Sequence, residues 1–180
     1  MTSSSAAFVD QMIQATRSTA GDFDRRAAGR KPSRQDIASP AAQAFYARVM
    51  RTLRADGMEF LVGGTYAFTP YTGIERSSKD FDIFVRSGDI ERVLALLARS
   101  GLRTDMTFPH WLAKVFYRRY FVDIIFNSGN AVTPVDEQWF AHGQDGVVLG
   151  VPVKLVPAEE MLWSKAFVME RERYDGADVV

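Results

Sequence analysis

The segment that most constrains the fold is a short apolar stretch, Lys79–Val85, which carries two aspartates. Alternate side chains of a β-strand point to opposite faces of the sheet, so Asp80 and Asp82 are predicted to share one face. The apolar residues that alternate with them are predicted to share the other face and to enter a hydrophobic core. This arrangement leaves the carboxylates accessible to water or a cation without burying an uncompensated charge.

A third aspartate lies in a later apolar run, 120–126. Asp123 is flanked by Val122 and Ile124, so its carboxylate is predicted to leave the strand on the face opposite to these two side chains. If this strand pairs with the earlier one, the carboxylates of Asp80, Asp82 and Asp123 converge. Their mutual repulsion is strong unless cations are bound, and two divalent ions bridged by a triphosphate meet that requirement.

The residue inventory limits which metal such a site can hold. The chain has no cysteine and two histidines, His110 and His142, neither of which has a convincing partner in the sequence. A metal site therefore depends on oxygen ligands, which favour hard cations. The expected cofactor is Mg²⁺ or Mn²⁺.

Two glycines follow the apolar run Met58–Val62 and precede Thr65. Without Cβ atoms, Gly63 and Gly64 allow backbone N–H groups to approach an anion closely, so they are predicted to hold phosphate, with the Thr65 hydroxyl as a further contact. The alternative is a sharp turn with no ligand.

Several basic residues are weaker candidates for contacts with a triphosphate. Arg76 and Lys79 precede the acidic strand, and Lys165 follows it at a distance in the sequence. Arg76 and Lys79 are alternatively a solvated basic turn or ion-pair partners of the strand aspartates when metal is absent, and Lys165 is alternatively an ordinary surface lysine. A further group of basic and aromatic residues consists of Lys114, Arg118, Arg119, Trp111, Phe116, Tyr117 and Tyr120. These residues either stack a nucleotide base and attract phosphate, or they simply form a hairpin with one core face and one solvated face.

The order of these features resembles the polymerase β-like nucleotidyltransferase superfamily, which has a Gly-Gly or Gly-Ser turn, a metal-binding Asp-x-Asp strand and a later acidic strand. The resemblance is carried by Val62–Thr65, Arg76–Phe84 and Phe121–Ile125, within roughly residues 45 to 173. The sequence most resembles small bacterial nucleotidyltransferase-like proteins, including those of toxin–antitoxin and abortive-infection systems. In these proteins a helix that starts with a Pro-x-Glu-Glu-like pattern follows the core, and a basic residue lies further along. Similar residues here are Pro157, Glu160, Lys165 and Arg171.

The resemblance implies a metal-dependent enzyme that moves a nucleoside monophosphate from an NTP to a hydroxyl acceptor and releases pyrophosphate. It implies that Asp80 and Asp82 hold metal and that Asp123 is a third ligand and possible base. The acceptor is a small molecule, a protein side chain or an RNA end. One alternative is a catalytically silent nucleotidyltransferase-like protein that binds a partner, such as a toxin–antitoxin component, and another is a structural domain whose strand aspartates are merely solvated.

The expected fold class is α+β (mixed α/β), with a small mixed sheet flanked by helices and an N-terminal helical extension. Helices are predicted from Pro40 to about Asp56, over Thr65–Tyr71, over Ile90–Ala98 with Ser87 or Asp89 as N-cap, and after Pro157. Leu112–Tyr117 and Tyr120–Phe126 are predicted to form a hairpin. Residues 127–146 are expected to be mainly loop, followed by a short edge pair around Gly150.

Two divisions of the chain are expected: a loose, helical extension over residues 1–39 and a nucleotidyltransferase-like domain over residues 40–180. The last residues begin a new apolar run, so the domain is expected to be truncated at its C-terminal end. Basic and acidic residues number 22 each, which gives no global attraction to nucleic acid. The sequence has no signal-peptide pattern and no apolar run of membrane-spanning length, so a cytoplasmic location is expected.

Overall fold

The structure, a computed structural model, describes residues 39–73, 80–128 and 133–162. The predictions for the extension before Ser39, for Arg76 and Lys79, and for Lys165 and the C-terminal end of the chain lie outside these ranges.

Helix α1 spans Pro40–Ala55 and supplies a large part of the core. The Ser39 hydroxyl caps it by accepting a hydrogen bond from the backbone N–H of Ala42, and Pro40 occupies the first turn, where its missing N–H is not needed. One face of the helix is buried, and its buried residues are Ala42, Phe45, Tyr46, Ala47, Val49, Met50 and Leu53. Phe45, Val49 and Leu53, which recur at helical spacing in the sequence, lie on this buried face.

Seven strands form one mixed sheet in the order β3-β4-β5-β2-β1-β7-β6. The strands are β1 Leu61–Val62, β2 Asp82–Phe84, β3 Arg103–Phe108, β4 Leu112–Tyr117, β5 Tyr120–Ile125, β6 Gln144–Val148 and β7 Val151–Leu155. The β2–β5 and β1–β7 pairs are parallel, and the other neighbouring pairs are antiparallel. The predicted α+β class with a mixed sheet is confirmed.

The remaining described helices are α2 Gly64–Thr72, α3 Ile90–Arg99, α4 Glu137–His142 and α5 at 158–162. Helix α1 contacts α3, β5 and β7, and α3 contacts β3, so these two helices cover one face of the sheet. Helix α4 covers part of the other face, because the Trp139 ring packs 5.5 Å from the Phe84 ring, and Phe84 alternates with the core residue Ile83. Beside α4, the face carried by β3, β4 and β5 holds polar and half-buried side chains.

Three elements differ from the sequence-based expectation. Residues 127–146 contain α4 and the start of β6, and β3 is an additional strand. The pair around Gly150 is a hairpin, but only β6 is an edge strand, because β7 lies between β6 and β1. Both missed strands lie at an edge of the sheet and are largely exposed, so they lack the apolar alternation that reveals a strand with one buried face.

The predicted N-cap of α3 is confirmed in position, whereas one apolar residue of α5 is exposed. Asp89 occupies the N-cap position of α3 but makes no capping hydrogen bond, and a short 3₁₀ turn over Ser87–Asp89 leads into the helix instead. Leu162 is an apolar residue of α5, but it is 42% exposed and therefore lies outside the core. Within the described ranges, no helix has the length and apolar character that crossing a lipid bilayer requires.

Candidate active site

The two acidic strands lie side by side in the middle of the sheet. Strand β2 pairs in parallel with β5, and Asp82 is the direct partner of Asp123. The Asp123 N–H donates to the carbonyl of Phe81 over 2.9 Å, which fixes this register. Directly opposed residues of neighbouring strands point to the same face, so the Asp82 and Asp123 carboxylates emerge together. Phe81, Ile83 and Ile124 point away from them and are fully buried.

The carboxylate of Asp80 is also within electrostatic reach of Asp123. The pKa of Asp123 is raised, chiefly because the carboxyl group is buried, and the negative charge of Asp80 raises it further. The nearby Lys114 acts in the opposite direction. Asp80 itself is half-buried and lies two residues before β2, so the strand is shorter than the predicted run Lys79–Val85 and includes only one of its two aspartates.

Lys114 is the closest charged partner of Asp123. It lies directly opposite Asp123 in the antiparallel β4–β5 pair, and its Nζ is 2.5 Å from Asp123 Oδ1. The same ammonium lies 4.2 Å from the centre of the Phe121 ring. The two side chains of the ion pair are only 24% and 13% exposed, so the contact is largely shielded from solvent. From sequence, Lys114 is only one member of a basic cluster, so its link to Asp123 is a structural finding.

Gly63 and Gly64 place the start of α2 against the acidic strand. The Gly63 N–H donates to the Asp82 carbonyl over 3.0 Å, and a Cβ on Gly63 would collide with the Phe84 ring. Gly64 has φ +58°, and a Cβ there would lie 2.5 Å from Asp82 Oδ2. The backbone of the glycine pair therefore approaches the carboxylate more closely than any other residue type would allow. Thr65 follows as the next residue of α2 and is half-buried.

A buried aromatic layer supports the acidic strand from the core side. The Tyr46 ring of α1 stacks on the Phe81 ring with centroids 4.6 Å apart, and the Tyr66 ring of α2 meets Phe81 edge-on at 4.9 Å. The pKa of Tyr46 is raised, first by burial and then by nearby groups that include Asp80 and Asp123. The Tyr46 ring packs against Phe81, the residue between the two aspartates.

The basic and aromatic residues of the β4–β5 hairpin do not form one cluster. Arg118 and Arg119 lie at the turn, over the rings of Tyr117 and Tyr120 respectively. Trp111 lies at the opposite end of β4, where its ring stacks on that of Phe108 at 5.7 Å. The residues singled out from sequence as one base-stacking cluster are therefore spread along the whole length of the hairpin.

The side chains present fit a hard divalent cation in their chemistry, because Asp80, Asp82 and Asp123 offer only oxygen donors. In the described part of the chain, however, no three acidic or histidine side chains are gathered closely enough to hold a metal. The Lys114 ammonium lies at Asp123, where a third ligand was expected. Metal binding by this trio stays a prediction.

The chain resembles known proteins in its fold and not in its sequence. No protein-family model and no curated protein matches the sequence. The fold resembles a number of solved structures, of which three illustrate the likeness. One is ANT(2'')-Ia in complex with adenylyl-2''-tobramycin, with 15% identity, a TM-score of 0.56, and coverage of 75% of this chain and 80% of that chain. A putative nucleotidyltransferase from Thermotoga maritima has 12% identity and a TM-score of 0.54, covering 77% and 91%.

The third is the lincosamide antibiotic adenylyltransferase LnuA with bound lincomycin, with 13% identity, a TM-score of 0.51, and coverage of 76% of this chain and 92% of that chain. At such low identity the likeness concerns the fold. The chain shares its fold with these nucleotidyltransferases, and the comparison shows the fold alone.

Proposed function

We propose that this protein is a metal-dependent nucleotidyltransferase, which transfers a nucleoside monophosphate from an NTP to a hydroxyl acceptor and releases pyrophosphate. The observation that carries the proposal is the direct register of Asp82 and Asp123 on neighbouring parallel strands, with the backbone of Gly64 against the Asp82 carboxylate. A structural domain with merely solvated aspartates has no need for that close approach.

The triphosphate would bind where α2 begins. The first N–H groups of a helix have no intrahelical acceptors, and the helix dipole favours an anion at this end. Gly63 and Gly64 are the residues proposed to hold phosphate, with the Thr65 hydroxyl beside them. Arg76, Lys79 and Lys165 are proposed as additional cationic contacts on the basis of the sequence alone.

The acidic residues have distinct proposed roles. Asp80 and Asp82 would hold Mg²⁺ or Mn²⁺, and Asp123 would serve as a third ligand and as the group that accepts the proton of the acceptor hydroxyl. When bound there, the metal would neutralise charge on the triphosphate and on the departing pyrophosphate. The aromatic layer of Tyr46, Phe81 and Tyr66 would keep Asp80 and Asp82 in place during the transfer.

A small molecule with a hydroxyl group is the acceptor class to test first. The structure of ANT(2'')-Ia holds adenylyl-2''-tobramycin, and LnuA is named as a lincosamide adenylyltransferase. The same two names make ATP the first donor to test. A protein side chain and an RNA end are the other acceptor classes, and a lysate supplies all three.

The test is to incubate the purified protein and Mg²⁺ with each α-labelled NTP and a lysate of the source organism, and to follow label transfer and pyrophosphate release. We expect metal-dependent transfer that is lost in Asp82→Asn and Asp123→Asn. Asp145→Asn is the matched control, because Asp145 is an exposed strand aspartate on β6, away from β2 and β5.

Label transfer that persists in Asp82→Asn would refute the proposed site. Isothermal titration separates the catalytically silent alternative: NTP binding that needs no metal and is unaffected by Asp80→Asn would indicate a binding protein instead of an enzyme.

A further inference from the structure

We infer that Lys114 is a built-in counterion that competes with the divalent metal for Asp123 and moves to Asp105 when the metal binds, so that Lys114 sets the metal affinity of the site. This inference rests on the proposed function, because it presupposes that Asp123 is a metal ligand.

The sheet places Lys114 between two carboxylates. Lys114 of β4 is the direct partner of Asp123 on β5 and also of Asp105 on β3. Directly opposed residues share a face, so all three side chains lie on the same surface of the sheet. The ammonium contacts Asp123 Oδ1 at 2.5 Å, whereas Asp105 is exposed and its Oδ2 accepts a hydrogen bond from the Thr107 hydroxyl.

Burial explains why a cation must stay at Asp123. The Asp123 side chain is only 13% exposed, and a carboxylate removed from water is strongly destabilising without a partner of opposite charge. Lys114 supplies that charge in the structure described. A divalent cation would supply it during catalysis, so metal binding exchanges one cation for another at the same carboxylate.

The neighbouring residues give the ammonium two positions. At Asp123, it also lies over the Phe121 ring, which stabilises it through the negative face of the ring. Neighbouring strands are about 5 Å apart, so rotation of the long lysine side chain is sufficient to reach from one flanking strand towards the other. Asp105 is solvated, and an ion pair there costs little to form or to break.

The test measures Mn²⁺ affinity by the loss of the free-ion EPR signal, in the absence of nucleotide. Lys114→Met is expected to bind Mn²⁺ about tenfold more tightly than the parent chain, because the competing charge is gone. Lys114→Arg keeps the charge and is expected to stay close to the parent. Asp105→Asn is expected to bind Mn²⁺ about threefold more weakly, because the displaced ammonium loses its second partner.

A double-mutant cycle assigns the effect to Asp123. In an Asp123→Asn background, Lys114→Met should leave Mn²⁺ affinity unchanged, because the contested carboxylate is absent. Lys154→Met is the matched control. Lys154 lies opposite Asp145 in the β6–β7 pair, as Lys114 lies opposite Asp123, but its Nζ donates to the Phe140 carbonyl over 2.9 Å. This control should bind Mn²⁺ like the parent.

The outcomes separate this inference from the proposed function. If the parent binds Mn²⁺ and Lys114→Met binds it equally or more weakly, the counterion role is overturned and the transferase proposal stands. Failure of the parent and of Lys114→Met to bind Mn²⁺ overturns both. If Lys114→Met does not fold without metal, Lys114→Gln replaces it, and we expect this variant to bind Mn²⁺ more tightly than the parent while Asp105→Asn binds it more weakly. The rise in Tm that Mn²⁺ induces should then be larger in Lys114→Gln than in the parent.

Discussion

At the scale of single residues, Gly64 connects phosphate binding to the acidic pair. Its φ of +58° and the 2.5 Å approach of a hypothetical Cβ to Asp82 Oδ2 are separate constraints. Gly64→Ala should lose about 1–2 kcal/mol of stability from the left-handed backbone, and it should also displace the Asp82 carboxylate. We expect Mn²⁺ affinity and label transfer to fall by at least about tenfold.

Gly73→Ala is the control for Gly64→Ala. Gly73 ends the same helix with φ +69°, but a Cβ there would meet nothing within 4 Å. Urea denaturation should show a similar loss of stability in both variants, while metal binding and transfer are retained in Gly73→Ala. Equal functional loss in the two variants would mean that Gly64 acts through stability alone.

For the ion pair of Lys114 and Asp123, the sequence allows the register of the two residues to be predicted but not their burial. The hairpin prediction pairs Tyr117 with Tyr120, and counting back along both strands places Lys114 opposite Asp123, as in the structure. The register was therefore accessible from sequence. The shielding of the pair was not, because it depends on the packing of strands that the sequence pattern does not order.

At the scale of elements, α1 supports β2 through one pair of rings. Tyr46 and Phe81 stack with an interplanar angle of 8°, and both side chains are almost completely buried. Phe81→Leu should lower the free energy of unfolding by about 1–3 kcal/mol, because contacts with two aromatic rings are lost together with buried area. The substitution should also weaken Mn²⁺ binding, because Phe81 lies between Asp80 and Asp82 and its packing helps to position both carboxylates.

Phe108→Leu is the comparison for that variant, measured by urea denaturation. Phe108 also stacks on an aromatic ring, that of Trp111, but it is 45% exposed. Its loss should lower the free energy of unfolding by less than about 1 kcal/mol and leave Mn²⁺ binding unchanged. A larger effect at Phe108 than at Phe81 would contradict the role assigned to the buried layer.

Helix α4 is attached to the sheet by Arg86. Its guanidinium forms two hydrogen bonds to Glu137, pairs with Glu59 at 3.0 Å and lies 3.8 Å from the Phe140 ring centre. The hydrogen bond to Arg86 lowers the pKa of Glu137 from its ordinary value of 4.5. A lowered folded-state pKa contributes stability that is present above the unfolded-state pKa and is lost as the pH falls through the folded-state value.

The pH dependence of Tm therefore tests this attachment. We expect the parent to melt at a higher temperature than Glu137→Gln above about pH 4.5, with a difference that shrinks as the pH falls below it. Glu137 is exposed, so the difference should be small and should shrink further in about 1 M NaCl. A difference that grows towards acidic pH would contradict the assignment.

At the scale of the whole molecule, ligand binding should stabilise the fold. A ligand that binds only the folded state at about 100 times its Kd adds about 2.7 kcal/mol, which for a chain of this size raises Tm by roughly 5–10 °C. Mg²⁺ with a non-hydrolysable ATP analogue should produce this rise in the parent and not in Asp82→Asn, as measured by differential scanning fluorimetry. An equal rise in both would place the nucleotide elsewhere.

The sequence predicts the central strands, which have one buried face, better than it predicts the edge strands and the strand order. Strands β2, β4 and β5 show clear alternation or an apolar run, because one of their faces is packed against α1 and α3. Strand β3 and the start of β6 are exposed edge segments whose polar residues carry no such signal. The strand order was also not predictable, since the neighbours of β1 come from distant parts of the chain and only tertiary packing selects them.

The two-residue strand β1 has one further consequence. It is held between β2 and β7, and its parallel partner contributes Lys154 and Leu155, which are synthesised long after Leu61 and Val62. Contacts so distant along the chain form late, because a long loop must close first. We expect a nascent chain still short of Leu155 to lack the support behind its glycine turn, so that the turn takes its final position only after the ribosome has released β7.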